Sequence, residues 1–452
     1  MAKTEKIFRD PLYNYVAIRG EENEWLLDLI DTVEVQRLRR IHQLGVSHFT
    51  YPGADHTRFS HALGVLHLMQ QAWQRIEALS EDDESIRHAY RSLLAAAVLH
   101  DVGHGPFSHL FEPVLKTYRE RWSHEYWSHE HWSCEVIRSA DTEVHQELLD
   151  KGVDVEQVAS LIEKDNEKPP PWQKTLLSSQ LDVDRLDYLQ RDSYFTGSGY
   201  GHYDWYRILN SFSLHEKDDF TVLVWPEKAV YAIEEYIFSR FYMYNNVYQH
   251  KTTRGFEKLL QAACGRAKQI HEGSRDARFV DEIAEFLDAE TPTVKQYLAL
   301  EDATLVYQLQ LWSKHPDRAL SDLAGRFLAR KGFAAIEDPV SETGFDDARA
   351  KWETTLRKVV AQGGFEPEEF YVLHDELEFT MYDPYIPEKE EEVQDPYNAI
   401  FIKPEGSKPL VEVSRLLERL ASVAGARSEQ HRYYVPKECR DKARQIAESQ
   451  RW

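Results

Sequence analysis

From Trp25 to about residue 270, apolar residues recur every three or four positions, the spacing of one buried helix face. Turn signals such as "YPGAD" and "GHGP" separate the helical stretches. The pattern predicts a helix that starts near Asp55 to Thr57 and carries "TRFSHALGVLHLMQQAW". A second is predicted from about Glu84 to Asp101, a third over "LLSSQLDVDRLDYLQRD", and a long one over "AVYAIEEYIFSRFYMYNNVYQHKTTRGFEKLLQAACGRA". Between the last two, "FSLHEKDDFTVLVWP" alternates as a short hairpin does. "HEGSRDARF" then marks a turn region, more helix runs to about Gly332, and "FEPEEFYVLHDELEF" and "NAIFIKPEG" have strand-like alternation. The acidic run "IPEKEEEVQDP" (386–396) reads as a solvated loop. The expected fold is mainly α: a helical core with a small hairpin and a mixed α+β C-terminal region, divided into residues 1–270 and 271–452.

Composition narrows the classes. With 42% hydrophobic and 29% charged residues over 452 positions, the chain can bury a large core. No apolar run approaches the ~20 residues that cross a bilayer, and "MAKTEKIFRDP" has no apolar signal core, so no membrane association is expected. The three cysteines, Cys134, Cys264 and Cys439, form no CxxC pair, which excludes a thiolate zinc motif and fits a cytoplasmic location. A net charge of -23 disfavours nucleic acid as a partner but leaves room for an anionic small molecule in a locally basic pocket.

The chemistry starts at "LLAAAVLHDVGHGPFSH", residues 93–109. Leu93 to Leu99 leave no polar face, so the helix is expected to be buried all round and to deliver His100 and Asp101 at its inner end. A buried carboxylate is costly unless paired or bound to a cation. Adjacent helix residues point about 100° apart, close enough to grip one ion from two sides. His61 lies in register with Val65 and Leu68 on an inward stripe. Asp184, Asp187, Tyr188, Arg191 and Asp192 share a face, with Asp182 pointing elsewhere. His61, His100, Asp101 and Asp184 would together supply two imidazoles and two carboxylates, a set that suits a divalent iron, manganese, zinc or magnesium ion.

"TRFSHALGV", "LHDVGHGPFSH" and "LDVDRLDYLQRD", in this order and at these separations, resemble the H, HD and D motifs of HD-domain phosphohydrolases. More narrowly they resemble the deoxynucleoside triphosphate triphosphohydrolases, over a stretch from "FRDPLYNYV" to "VYQHK". The resemblance implies an HD-domain helical core with a metal held by His61, His100, Asp101 and Asp184, and a dNTP bound with additional magnesium. Arg58 and Arg185 match phosphate-binding positions, although Arg185 stands where the family usually has a lysine, a planar fork in place of a point donor. Arg240 matches the residue that grips the terminal phosphate. Tyr248 would pack beside the sugar, with Tyr244 replacing a histidine, while Asp192 and Tyr188 match positions around the 3′-hydroxyl and Gln43 and Leu44 match sugar contacts. Leu44 against Tyr248 would exclude a 2′-hydroxyl. The implied products are deoxynucleoside and inorganic triphosphate. His109 is the expected proton donor, oriented by Glu112, and His104 would contact the α-phosphate. A further family histidine in an HExxS pattern falls on His129 in preference to His124.

The resemblance also implies regulation. Lys6, Asp31, Gln36 and Arg39 match a guanine-nucleotide activator site, for GTP or dGTP. The plain alternative is a helix-capping Asp31 and a surface Arg39. Arg207, Lys228, His250 and Lys251 match part of a second nucleotide site, but Pro226 replaces an expected arginine and Ala232 an asparagine. Such sites lie between subunits, so a homotetramer is implied. Two other readings stand beside a dNTP triphosphohydrolase: an HD enzyme acting on another nucleotide phosphoester, and a catalytically silent nucleotide sensor.

Overall fold

The computed structural model describes residues 5–79, 84–116, 128–164, 166–217, 220–339, 346–380, 382, 397–406, 408–423 and 427–449. The fold is mainly α. An N-terminal hairpin pairs β1 (Glu5–Asp10) with β2 (Asn14–Arg19). It leads into α1 (Trp25–Asp31), α2 (Val33–Arg37), α3 (Arg58–Leu79), α4 (Glu84–Leu99) and α5 (Phe111–Lys116). Then come α6 (His129–Arg138), α7 (Glu143–Asp150), α8 (Val155–Ile162), α9 (Pro171–Leu177), α10 (Val183–Thr196) and α11 (Trp205–Ser211). The predicted hairpin is β3 (Ser213–Lys217) and β4 (Phe220–Pro226), followed by α12 (Val230–Met243), α13 (Lys251–Ser274), α14 (Asp281–Asp288), α15 (Val294–Leu298), α16 (Asp302–Trp312) and α17 (Arg318–Leu328). The chain ends with β5 (Ala334–Glu337), α18 (Asp346–Gln362), β6 (Leu373–Thr380), β7 (Phe401–Lys403), β8 (Val411–Glu412), α19 (Glu418–Val423), β9 (Arg427–Val435) and α20 (Arg440–Ser449).

The second half of helix α4, from Ser92 on, lacks an exposed face because α3, α8 and α9 all pack against the helix. Leu93, Leu94, Ala95, Ala96, Ala97 and Leu99 are fully buried, and a buried leucine contributes about 1.5–3 kcal/mol by the water it sheds. This N-terminal core gathers α3, α4 and α8 to α12, and a second core gathers α13, α16, α17 and α18 with β5, β6 and β9. Strand β9 lies between β5 and β6, antiparallel to both. Strand β7 adds in parallel to β4, so the C-terminal region extends the predicted hairpin into a four-stranded sheet.

Four sequence expectations need correction. The helix over residues 176–192 is two helices. The chain leaves the helical region at Ser178 (φ −142°, ψ 83°), and Asp182 starts α10 by accepting from the Arg185 and Ser179 amides at 2.7 Å each. The long helix over residues 229–267 is also interrupted: Tyr244–Tyr248 form a π-helical turn, and α13 restarts at Lys251 under the His250 imidazole, which accepts from the Thr252 amide at 3.2 Å. Helix α13 then continues through "HEGS" to Ser274 before turning at Arg275 (φ 59°), so that stretch is not loop. Helix α4 stops at Leu99, leaving His100 and Asp101 in the turn beyond it. The first hairpin and α18 were not foreseen. Residues 386–396 and His124 lie outside the described residues.

Candidate active site

The turn after α4 is shaped by residues far away in sequence. The Ser133 hydroxyl on α6 donates to the His100 carbonyl (2.8 Å) and accepts from the Gly103 amide (2.9 Å). The Arg37 guanidinium, fully enclosed, donates to the His104 carbonyl at 2.8 Å and to the carbonyls of Leu298 (2.9 Å) and Leu300 (2.5 Å). The Tyr297 hydroxyl donates to the Gly103 carbonyl at 2.8 Å. The Asp302 carboxylate accepts from the Phe107 amide at 2.6 Å. These bonds hold a backbone in which two consecutive non-glycine residues, Phe107 and Ser108, have left-handed φ values of 55° and 58°. Gly103 must be glycine here, because a Cβ would lie 2.1 Å from the Ser133 amide nitrogen.

Helices α3 and α10 meet this turn, and His61, His100, Asp101 and Asp184 converge. His61 Nε2 lies 3.0 Å from Asp184 Oδ1, 3.6 Å from Asp101 Oδ2 and 3.2 Å from His100 Nε2. His100 Nε2 lies 3.5 Å from Asp101 Oδ1 and 3.7 Å from Asp184 Oδ1. The other ring nitrogens settle the tautomers. His61 Nδ1 faces Asp187 Oδ2 at 2.8 Å and His100 Nδ1 faces the Ala97 carbonyl at 3.0 Å. Both partners only accept, so Nδ1 carries the proton in each ring. Two Nε2 lone pairs and two carboxylates therefore face one another in a buried space, an arrangement that repels unless a cation sits among them. Donor atoms of His61, His100 and Asp101 lie within 4.8 Å of one another, and Asp184 adjoins both histidines, a set that fits a divalent metal ion with Asp187 orienting His61 from behind.

A proton on the imidazoles can supply the same positive charge that an ion would. Burial works against charge on His61, but its hydrogen bonds to Asp184 and Asp187 outweigh that and push the imidazole up to about 10. Burial would raise the Asp101 carboxyl, yet the Arg58 guanidinium and the nearby histidines hold it well below the usual range. Asp187 is opposed by burial in the same way and is held at about 2 by Arg191 and His61. Asp187 is tied to Arg191 by two bonds of 2.8 Å, and Arg191 reaches Asp10 of β1 at 2.8 Å. Gly64, one turn along α3 from His61, makes room for this ion pair: a Cβ there would lie 2.0 Å from Asp187 Oδ1.

In front of the cluster lies a cavity of about 480 Å³. Its walls include Gln43, Leu44, Arg58, Arg185, Tyr188, Asp192, Tyr244 and Tyr248, together with His104, His109 and His129. Arg58 donates to Asp101 (2.6 Å), Ser108 (2.9 Å) and the Gln43 carbonyl (3.3 Å), so it positions Asp101 as well as facing the cavity. Arg185 donates to the Ser179 carbonyl at 2.5 Å. Asp192 accepts from Tyr248 at 2.7 Å and bonds His56 at 2.8 Å. Arg240 is not a wall residue: its guanidinium lies over the Tyr244 ring, 5.5 Å from the centroid.

Glu112 bridges two of the wall histidines through Oε1, His109 at 3.1 Å and His129 at 2.9 Å. His104 stacks on His129 with ring centroids 3.9 Å apart. Burial, Arg58 and His129 hold the His104 imidazole well below its usual range, hence neutral. Its Nε2 is 3.2 Å from Asp101 Oδ1 but misaligned for a hydrogen bond. The side chain of His109 is 65% exposed against 17% for His129, so His109 is the solvent-facing member.

The residues matched to activator sites lie elsewhere. The exposed Asp31 is 3.5 Å from Gln36 Nε2, and Gln36 Oε1 accepts from Arg39 at 2.8 Å, a continuous polar row. The Glu143 carboxylate accepts from the first amide of α2, that of Val33, at 2.8 Å, so the plain capping alternative for Asp31 has no bond to support it. Lys6 is exposed on β1. Arg207 donates to the Lys228 carbonyl at 2.7 Å, and His250 and Lys251 open α13.

Residues 58–192 match the family described as HD domain, and residues 203–450 match its HD associated region. The chain belongs to the HD-domain family. It is 36% identical to an uncharacterised Bacillus subtilis (strain 168) protein, YwfO, across 96% of this chain and 93% of that protein. It is also 26% identical to the deoxynucleoside triphosphate triphosphohydrolase SAMHD1 of Danio rerio, covering 83% of this chain but 63% of that protein's length. Among solved structures, a phosphohydrolase from Bacteroides thetaiotaomicron VPI-5482 superposes with a TM-score of 0.75 at 26% identity, over 96% of this chain and 99% of that one. No helix among the described residues is long and apolar enough to cross a membrane.

As an HD-domain protein, the chain carries its name-giving pair at His100 and Asp101. The residues that support the pair were less visible. Asp187 had a signal, since it stands three positions after Asp184 on the same helix face. His56 precedes the first motif without any spacing that marks it. Ser133, Arg37, Tyr297 and Asp302 carry no local signal, nor do Arg254 and Gln261 of α13, which complete the cavity wall.

Proposed function

We propose that this protein hydrolyses deoxynucleoside triphosphates to deoxynucleoside and inorganic triphosphate. The observation that carries the proposal is the convergence of His61, His100, Asp101 and Asp184 beside a cavity of about 480 Å³ whose lining includes tyrosines and an aspartate. A divalent metal ion bound by those four residues supplies Lewis-acid activation of water and charge neutralisation at phosphorus. Arg58 and Arg185 add positive charge along the phosphate path. His104, neutral and buried, is a hydrogen-bond partner for the α-phosphate. The His109–Glu112 pair, backed by His129, hands a proton to the departing 5′-oxygen. Tyr248, fixed by its bond to Asp192, and Leu44 in the same cavity wall narrow the sugar site.

The division of the chain at residue 270 belongs to the same proposal, as do a cytoplasmic location, a guanine-nucleotide activator on the Asp31–Gln36–Arg39 row and assembly as a tetramer. The three cysteines, all unpaired and buried, fit a reducing compartment.

Incubation of the purified protein with each dNTP and NTP, followed by chromatography, tests the reaction. Deoxynucleoside and triphosphate are the expected products. Monophosphate with pyrophosphate would assign the site to another phosphoester. Sugar selection has its own test: Tyr248→Ala opens the pocket beside the sugar, and the ratio of kcat/KM for the preferred dNTP over its ribonucleotide is expected to fall by about tenfold or more. An unchanged ratio would remove Tyr248 from sugar recognition.

A further inference from the structure

A second set of metal-ligating side chains meets in the loop that precedes α3, outside the cluster of His61 and its partners. Two backbone hydrogen bonds frame it, the pair that makes an antiparallel bridge between residues 42 and 57: the Gln43 amide donates to the His56 carbonyl at 3.0 Å, and the Arg58 amide donates to the Ile41 carbonyl at 3.0 Å. A tight turn at Gly45 (φ 52°) and a 3-10 turn over Ser47–Phe49 then bring His48 back beside His42, with ring centroids 5.4 Å apart. Asp55 arrives from the other arm of the bridge, its Oδ1 3.8 Å from His42 Nε2.

We infer that His42, His48 and Asp55 form a second divalent transition-metal site, which takes zinc or a metal of similar preference. One ligand atom from each of the three residues lies within 4.8 Å of the others. Two donors on one tetrahedral zinc, with bonds of about 2.0 Å, stand roughly 3.3 Å apart, so the His42–Asp55 spacing needs only a few tenths of an ångström of adjustment.

Two further features point to a ligand. Asp302 bonds His42 Nδ1 at 2.5 Å and accepts from the His42 amide at 2.9 Å. A carboxylate on Nδ1 fixes the tautomer and turns the Nε2 lone pair toward Asp55, the arrangement that orients metal-binding histidines. His48 Nδ1 is buried without a well-formed hydrogen bond, the ring's polar neighbour being the Gly45 backbone, so a coordinated ion has an unengaged ring nitrogen to draw on. The Asp55 side chain is 68% exposed and that of His42 31%, which leaves an open side for entry and for a water ligand.

The site bears on the cavity. His42 is followed by the wall residues Gln43 and Leu44, and its carbonyl accepts from Ser108 at 2.7 Å. An ion held here fastens the loop carrying that wall to the body of the protein.

Chelator-treated protein titrated with cobalt(II), read by visible ligand-field absorption and by metal per chain, tests the inference. Asp55→Asn and His48→Gln are each expected to lose one equivalent relative to the unmodified chain, while an Asp101→Ala chain keeps the equivalent that these variants lose. Asp55 is exposed enough that its replacement leaves folding intact. The same stoichiometry and spectrum in Asp55→Asn, His48→Gln and the unmodified chain would overturn the inference. A protein without dNTP hydrolysis would leave these counts unaffected, so the two proposals fail separately.

Discussion

An Asp101→Ala chain is expected to lose turnover on the order of a thousandfold, equivalent to about 4 kcal/mol of transition-state stabilisation. The aspartate has two jobs, which explains the size of the effect. It clusters with His61 and His100 at the candidate metal position, and it is the partner of the buried Arg58 at 2.6 Å. Alanine therefore removes a ligand and leaves a guanidinium enclosed without its counter-charge, a loss of about 3–5 kcal/mol of stability. Asp101→Asn keeps the volume and one acceptor. It is expected to retain more of the stability while sharing the loss of turnover. Thermal unfolding and the chromatographic product assay, run on both variants, separate the two jobs. Turnover within tenfold of the unmodified protein in Asp101→Ala, with bound metal retained, would remove this residue from the reaction.

Gly64→Ala should impair the same centre without touching any residue that faces the cavity. The added methyl would stand 2.0 Å from Asp187 Oδ1 and 2.3 Å from Arg191 Nη2. Neither neighbour can yield cheaply, since both are completely buried and bonded to each other, and Asp187 also fixes His61. Displacing Asp187 frees the His61 ring to rotate, and losing such a support weakens metal binding by about 10- to 100-fold. Metal retained after dialysis is the direct readout, with a lowered Tm beside it. Retention equal to the unmodified chain would mean that Asp187 does not orient the ligand.

What the sequence showed and what it hid follow from the range of the interactions. The apolar run from Leu93 to Leu99 was legible because a helix buried on every side needs no partner to be recognised. His100 and Asp101 follow it directly, and His61 and Asp184 were placed by helical register. Breaks in helices were less legible. "LLSSQLD" keeps an apolar spacing that suits a continuous helix, and only the Asp182 carboxylate, turned back on the Ser179 and Arg185 amides, splits it. The π-helical turn at Tyr244–Tyr248 likewise has no marker in residue type, yet it leaves Tyr244 and Tyr248 in ring contact 5.0 Å apart. Arg37, Tyr297 and Asp302 act across separations of 67 to 263 positions, where no periodicity reaches.

Those distant tethers decide which part of this protein can work by itself. The segment that bears every HD motif ends near residue 192, but the peptide carrying Asp101 is moored to Tyr297, Asp302 and the carbonyls of Leu298 and Leu300 through groups that the motif segment does not contain. A fragment excised at the HD boundary would have all four candidate metal-binding side chains and none of these moorings. The C-terminal half thus supplies part of the scaffold that holds the candidate active site in shape.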